Sequence, residues 1–600
     1  TAIFGVLDAH LQRAVHLSFG LSLIYLLYPT RRSWSRDKLH PLDAFLAVLG
    51  AAVPMYIVVF YHELVMRAGL TTTTDVIVGL LGLFLVLEGA RRAVGVPIVC
   101  VAGLFLAYAF AGPYVPGVLA HRGVTFEELI GHLFFTTEGI FGIALGVSST
   151  FIFLFILLGA YLEVTGLGKF FIDIANAIAG WASGGPAKVA VISSALEGTV
   201  SGSSVANTVG SGSLTIPMMK KLGYGKEFAG AVEAAASTGG QLMPPIMGAA
   251  AFLMAEFVGV PYVEVVKAAV IPAILYFSGI FIEVHFEAKR LGLKGIPRDQ
   301  LPKAKDLVME RGHLAVPLIA VIYLLVEGAT PTRAALWAIA LAIGASALRK
   351  STRISFRDIL EGLEKGARGC LGVLIACATA GVIIGVVTKT GVGLKLASAL
   401  LDLAGGHLLP AMFFTMITSL LLGMGVPTTA NYVITSTIAA PALEGMGVPV
   451  LAAHMFVFYF GIIADVTPPV ALAAFAGSAI SGGNPLKTGV VASKLAIAAF
   501  LIPYIFVLSP QILMIDVTMW GLIHVICTAI IGMIGVGGSM VGYMLTNLNM
   551  VERIVLFFGG LMLIDPGLVT DLIGLAIVGG SVFLQIMKRR RQQDAKNQSI

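Results

Sequence analysis

Charge is what this sequence has least of. Lys, Arg, Asp and Glu make up 12% of its 600 residues, where a soluble domain carries about 25%. Cysteine is nearly absent. Cys100, Cys370, Cys377 and Cys527 stand singly in apolar stretches, at spacings that exclude a thiolate metal site, and read as small buried hydrophobes. No HExxH, paired-aspartate or G-x-S-x-G pattern occurs, which argues against an intramembrane enzyme, and no GxxxxGK[ST] occurs, which argues against an ATP-driven pump. Strict two-residue alternation is missing too, so an outer-membrane barrel is excluded.

What is present is hydrocarbon. Residues of the hydrophobic class make up 57% of the chain, and the mean hydropathy is +0.93. Runs such as HLSFGLSLIYLLY (16–28), DVIVGLLGLFLVL (75–87) and FGIALGVSSTFIFLFILLGAYL (141–162) recur along it. They suit a bilayer core of about 30 Å. The chain therefore reads as an all-α polytopic membrane protein, because in lipid each segment must satisfy its own backbone.

The net charge of +6 sets orientation rather than marking a nucleic-acid partner. Basic clusters lie at Arg31/Arg32/Arg36/Lys38, Arg91/Arg92, Lys220/Lys221/Lys226, 289–305, Arg349/Lys350/Arg353/Arg357 and 588–591. Placing all of them in the cytoplasm gives one threading. Residues 11–28 run inward, 42–60 outward, 73–90 inward and 96–115 outward. After an external stretch, 139–164 runs inward. Residues 187–219 then begin and end on the cytoplasmic side, so they dip in and return. Helices 226–258 and 262–288 go out and back, 289–312 is a cytoplasmic linker, 313–329 and 332–348 form a pair, and 363–388 runs outward. Three crossings are expected in 511–587. This threading puts residue 1 outside, which leads to the expectation of a further helix upstream. Trp34 and Tyr28 fit an interfacial belt, and the amphipathic stretches 169–180 and 391–404 are expected along the two interfaces.

A displacement of 224 residues aligns the two halves without a gap. Asn207 falls on Asn431, Pro217 on Pro441, Gly223 on Gly447, Pro244–Pro245 on Pro468–Pro469 and Pro261 on Pro485. The partner of the first hairpin is then 411–443, whose base LEGMGVPV (443–450) has no positive charge and lies outside. The halves are thus expected to be inverted in the membrane, the arrangement of alternating-access transporters; closure from opposite faces suits occlusion better than a channel. The expected division is a scaffold at 1–120, a first repeat at 121–288, a linker and helix pair at 289–362, a second repeat at 363–510, and a hydrophobic extension with a basic tail at 511–600.

The repeat explains GTVSGSSVAN (198–207) and GMGVPTTAN (423–431). These hairpin tips carry non-helical backbone to mid-membrane depth, which is tolerated only inside protein or beside a wet cavity. STGGQLMPP (237–245) and IIADVTPP (462–469) break the next helix in each half, since proline removes donors and its predecessor resists the α conformation. Hydroxyl, amide and carbonyl oxygens suit a small hard cation. One cation set is expected at Ser203, Ser204, Asn207, Thr238 and Gly239, and its partner at Gly425, Thr428, Thr429, Asn431, Asp465 and Thr467. An anionic ligand is expected between the tips, near their N–H groups, at Ser201, Gly202, Ser203, Gly240, Pro427 and Thr428. Asp465 could serve as cation ligand, proton carrier or helix cap. Glu197, Glu233 and Glu256 are weaker candidates, and His454 reads as a packing residue.

At these residues the sequence resembles a known family. EGTVSGSSVANTVGSGSLTIPMMKKLGY, AASTGGQLMPPIMGAAAFLMAEFVG and GMGVPTTANYV are similar to the membrane subunit of tripartite ATP-independent periplasmic (TRAP) transporters. About 1–120 looks like the small subunit and about 125–510 like the large one. Their fusion and the extension at 511–587 are similar to the TAXI-type subgroup. The resemblance implies an inner-membrane permease without cofactors. It also implies an elevator mechanism, a separate periplasmic TAXI-type binding protein, and import of organic anions such as carboxylates driven by sodium. Proton coupling by the same fold is the alternative.

The threading is tested by labelling. Pro302→Cys and Arg590→Cys are expected to react from the cytoplasm and Met446→Cys from outside. Reaction of positions 302 and 446 from one face rules out the inversion.

Overall fold

The computed structural model describes residues 5, 7–31, 39–515, 517–565 and 567–598. Trp34, Arg32, Arg36 and Lys38 lie outside them. Among the described residues there is no strand, only one isolated bridge between Tyr543 and Asn547. Ten helices among the described residues are long and apolar enough to cross a membrane, from Pro41–Val59 to Leu568–Asp594. Their outer faces are hydrocarbon: Phe45, Phe84, Leu104, Ile319 and Phe583 are all more than half exposed. Water would not tolerate apolar surface on this scale, whereas lipid does. The cysteines follow the same rule. Cys370 and Cys377 are buried, but Cys100 and Cys527 are exposed, so the expectation of four buried thiols fails for two of them. Lipid tails are as apolar as a core, so an apolar residue here gains little by turning inward.

The chain folds into two compact units. The first holds Thr1–Thr165, Gly248–Tyr262 and Leu314–Gly461; the second holds Gly166–Met247, Val263–His313 and Ile462–Ile600.

In the first unit, helices Ala9–Leu27, Pro41–Val59 and Thr73–Ala93 are clamped at one end by Arg92. Its guanidinium meets Asp43 at 2.7 Å and Glu88 at 2.8 Å and donates to the Tyr28 carbonyl, while lying over the Tyr25 ring. This charge is held inside a helix junction, where Asp43 and Glu88 offset its desolvation. The 35-residue helix Phe356–Thr390 is the most enclosed span, 83% of its apolar window being buried. Its glycines allow close approach: a side chain at Gly366 would strike Leu157, and one at Gly381 the backbone of Gly139.

The repeat is visible as repeated elements. Helices Lys226–Gly239 and Val450–Ile463 correspond at 224 residues, and each is followed by a non-helical stretch and a ten-residue helix, Ala249–Val258 or Leu472–Ser481. The Pro244–Pro245 and Pro468–Pro469 bonds are both cis. Two non-glycine residues at matched positions, Met247 (φ 55°) and Ala471 (φ 38°), occupy the left-handed region, a conformation costing on the order of 1 kcal/mol that persists only where the surroundings enforce it.

The halves also exchange pieces. In the first unit Ala249–Val258 packs against Thr428–Ile438, the second hairpin's returning arm. In the second unit Leu472–Ser481 packs against Ser204–Gly210, the first hairpin's returning arm, and against Lys226–Gly239. The last contact is glycine on glycine: a side chain at Gly477 would lie 2.5 Å from the Gly230 carbonyl.

Gly477→Ala is therefore expected to lower stability by roughly 1–3 kcal/mol, read as a drop in the thermal midpoint of the purified protein. Gly210→Ala, at a helical position with nothing within 4 Å, leaves that midpoint unchanged or raises it. Equal midpoints for the two variants would contradict this packing.

Candidate functional site

The first hairpin consists of Gly185–Gly198, a non-helical turn at 201–203, and two short helices, Ser204–Gly210 and Gly212–Leu222. Ser203 stops the chain from running straight through: its Oγ accepts the Ala206 N–H at 3.3 Å, capping the returning arm. Gly198 and Gly240 touch backbone to backbone, a side chain at Gly198 falling 2.2 Å from the Gly240 Cα. Only glycine at both places lets the hairpin tip meet the break in the following helix.

At that meeting point stands Asp465. Its Oδ2 accepts a hydrogen bond from Ser204 Oγ at 2.6 Å and one from Gln241 Nε2 at 3.3 Å. Gln241 and Asp465 are 224 residues apart, so equivalent residues of the two breaks bond to each other. All three are buried. Around them the polar inventory is incomplete. Thr238 Oγ1, Gln241 Oε1 and Asn207 Nδ2 are buried and have no hydrogen-bond partner among the described residues. Unpaired buried oxygens cost roughly 1–3 kcal/mol each, and these two lie on the same break as the Asp465–Gln241 contact. The arrangement can take a small hard cation.

The remaining expected residues fall as follows. Ser201 and Gly202 are half-buried in the turn and Ser203 is exposed. Gly239 is covered by Tyr276, whose hydroxyl donates to the Ala235 carbonyl. Gly240 is buried beside Asn207. Thr467 is half-buried and turns its hydroxyl back onto the Ile463 carbonyl of its own helix.

In the first unit the second hairpin pairs Leu408–Gly423 with Thr428–Ile438 across a turn where Gly425 takes φ 73°. Pro427 and Thr428 are half-buried and Thr429 is buried. Asn431 Nδ2 donates to the Gly461 carbonyl at 2.6 Å, tying the returning arm to its own broken helix, while its Oδ1 has no partner. Thr415 and Ser419, one turn apart on the first arm, are buried with unpartnered hydroxyls; the sequence reading missed both. His454 is held between Tyr432 Oη (2.7 Å) and Glu444 (3.3 Å).

Glu233, one of the weaker candidates in the sequence, is placed at the centre of a cluster that the sequence did not show. It is completely buried in the second unit. Its carboxylate accepts hydrogen bonds from Ser194 at 2.9 Å, Ser211 at 2.5 Å, Ser237 at 3.3 Å and Thr215. Ser194 belongs to the entering arm, Ser211 and Thr215 to the returning arm, and Ser237 to the broken helix. One carboxylate thus joins three elements. Its four donors were legible only as ordinary small residues, since nothing in sequence spacing places 194, 211, 215 and 237 around 233.

A family model described as the tripartite ATP-independent periplasmic transporter, DctM component, matches residues 81–521. The chain is 28% identical over 334 residues to the C4-dicarboxylate TRAP transporter large permease protein DctM of Pseudomonas aeruginosa, covering 55% of this chain and 76% of that one. It is 26% identical over 334 residues to the isethionate TRAP transporter permease protein DctMQ of Oleidesulfovibrio alaskensis, covering 55% of this chain and 52% of that one. Over 185 residues it is 31% identical to a C4-dicarboxylate large permease protein of Vibrio cholerae, covering 30% of this chain and 40% of that one.

Glu233→Ala removes the common acceptor of four buried hydroxyls and is expected to cost on the order of 3–5 kcal/mol. Thermal unfolding in detergent would show a midpoint lowered by many degrees, against little change for Glu256→Ala at an exposed position. A Glu233→Ala midpoint equal to wild type would exclude the clasp.

Proposed function

Because the chain belongs to the tripartite ATP-independent periplasmic transporter family as a DctM component, we propose that it imports small organic anions such as carboxylates by sodium-coupled elevator transport. It is a multi-pass permease of the inner membrane, in a family that works with a periplasmic binding protein. We further propose that this partner is of the TAXI type, with residues 1–120 serving as a fused small-subunit-like scaffold. The likeness to a permease named DctMQ supports the fusion. The anion class is supported by relatives named for C4-dicarboxylates and isethionate, all small anions.

The carrying observation for cation coupling is the incomplete polar cluster. Asp465 supplies the charge, Ser204 and Gln241 hold its carboxylate, and Thr238 Oγ1 and Gln241 Oε1 remain as oxygens without partners. A cation taken up there completes the coordination that protein groups leave open, so binding lowers the cost of holding the break closed. The anion would then be met by the N–H groups at the hairpin tips, where helix starts favour negative charge. In the second hairpin, Gly425, Thr428, Thr429 and Asn431 would form the partner site.

Asp465→Asn removes the charge without changing volume. In wild-type protein, sodium replacing choline is expected to raise the thermal midpoint, since a ligand that binds only the folded state stabilises it. In the variant that rise is lost, and sodium-driven uptake in proteoliposomes with the binding protein falls at least tenfold. Normal sodium-driven uptake by a folded Asp465→Asn protein would reduce the residue to a helix cap. Loss of proton-driven uptake alone would make it a proton carrier and favour proton coupling.

A further inference from the structure

The helix Leu568–Gln598 has 31 residues, about 46 Å at 1.5 Å per residue, half again the ~30 Å of a hydrocarbon core. Its apolar part, 568–587, is of bilayer length by itself, so Lys588, Arg589, Arg590 and Arg591 begin at the headgroup level. The loop joining Met519–Val541 to Met550–Ile564 is held at the same level. Lys588 Nζ donates to the Asn547 carbonyl at 3.1 Å and meets Glu552 at 3.4 Å. Below it, buried Gln585 accepts from Thr546 N at 3.0 Å and from Thr546 Oγ1 at 2.6 Å. Arg553 turns to the Ser539 and Met540 carbonyls.

Between this loop and the helix lies a cavity of about 420 Å³ lined by Tyr543, Thr546, Asn547, Lys588, Arg589 and Gln592, among others. Residues 588, 589 and 592 share one face of the helix, whereas 590 points roughly the opposite way at 100° per residue. Lys588 is offset by Glu552. Arg589 makes no ion pair among the described residues, so the cavity keeps an uncompensated guanidinium. Gln585 Nε2, completely buried, has no hydrogen-bond partner.

We propose that this cavity binds the phosphate of an anionic phospholipid headgroup. The guanidinium fork matches two phosphate oxygens, and the Tyr543, Asn547 and Gln592 side chains offer donors and acceptors for a headgroup hydroxyl. A lipid is favoured over a free phosphate ester by what adjoins the cavity. Ile586, less than a turn before Arg589 and about 60° from it around the helix, is exposed, and Phe583 and Leu584 are exposed on the neighbouring faces, so acyl chains can lie along the helix while the phosphate is held.

The test uses the full chain purified in neutral detergent with equal phosphatidylglycerol and phosphatidylcholine, read by native mass spectrometry. Wild type retains phosphatidylglycerol preferentially. Arg589→Gln is expected to reduce that preference roughly fivefold, the effect of one cation near an anionic surface, with an unchanged thermal midpoint in lipid-free detergent. Arg590→Gln, on the opposite face, leaves the preference nearly intact. Unaltered retention by Arg589→Gln overturns the proposal. Equal losses in both variants overturn it too, by showing a diffuse charge effect. A rise in thermal midpoint with inorganic phosphate equal to that with phosphatidylglycerol overturns the lipid assignment in favour of a soluble phosphate.

Discussion

Hydrocarbon offers no partner to a loose N–H or C=O, and this chain breaks its backbone at bilayer depth in both halves. The rest of the architecture follows from enclosing those breaks. Glycine meets glycine where the first hairpin reaches the break, because any side chain would keep the two backbones apart. The Ala473 N–H returns to the Asp465 carbonyl at 2.9 Å, closing the second break on itself. Ser203 caps one returning arm and Asn431 ties the other to a broken helix. Small polar residues are concentrated here because each must satisfy a backbone group in little space.

Enclosure alone would leave a hairpin of short helices, each too short to be stable by itself. Glu233 supplies the missing cohesion on the first side. An isolated carboxylate in an apolar interior is very costly, and four hydroxyl donors drawn from both arms and the broken helix offset that cost. The bonds serve the carboxylate and at the same time join the elements that carry them. The hairpin and Lys226–Gly239 accordingly form a single packed body within the second unit, on which the Ser204–Asp465 contact can be held to a definite geometry.

Composition and charge made the helical class plain, and the 224-residue displacement located both hairpins and both breaks to within a few residues. Those features are periodic or compositional, so they survive in one dimension. The site was legible in part. Asp465 stood out as a carboxylate between apolar residues, but its partners Ser204 and Gln241 come from the other repeat, and no local pattern announces an exchange of Leu472–Ser481 for Ala249–Val258. Thr415 and Ser419 passed unnoticed because a hydroxyl that bonds its own helix and one left unpaired look alike in sequence. Arg92 read as a topological marker, whereas its partners Asp43 and Glu88 make it a clamp; position along the chain does not reveal which arginines are neutralised.

The exchange has a further consequence for the two halves, which share a backbone plan but not a charge plan. Glu233 corresponds to Val457 and Gln241 to Asp465, so at each of these two positions one repeat has a buried carboxylate where the other has a neutral residue. Had each half-helix stayed with its own hairpin, those charges would have been divided between the units. Because residues 462–481 lie in the second unit with the first hairpin, both carboxylates gather there. The second hairpin is left with the amide of Asn431 and hydroxyls such as Thr415 and Ser419. A cation coupled as proposed would therefore meet full charge at the first hairpin and dipoles at the second, where affinity would depend on how closely oxygens can converge. Repetition of the fold thus supplies two similar cradles, and the crossing of the chain makes them chemically unequal.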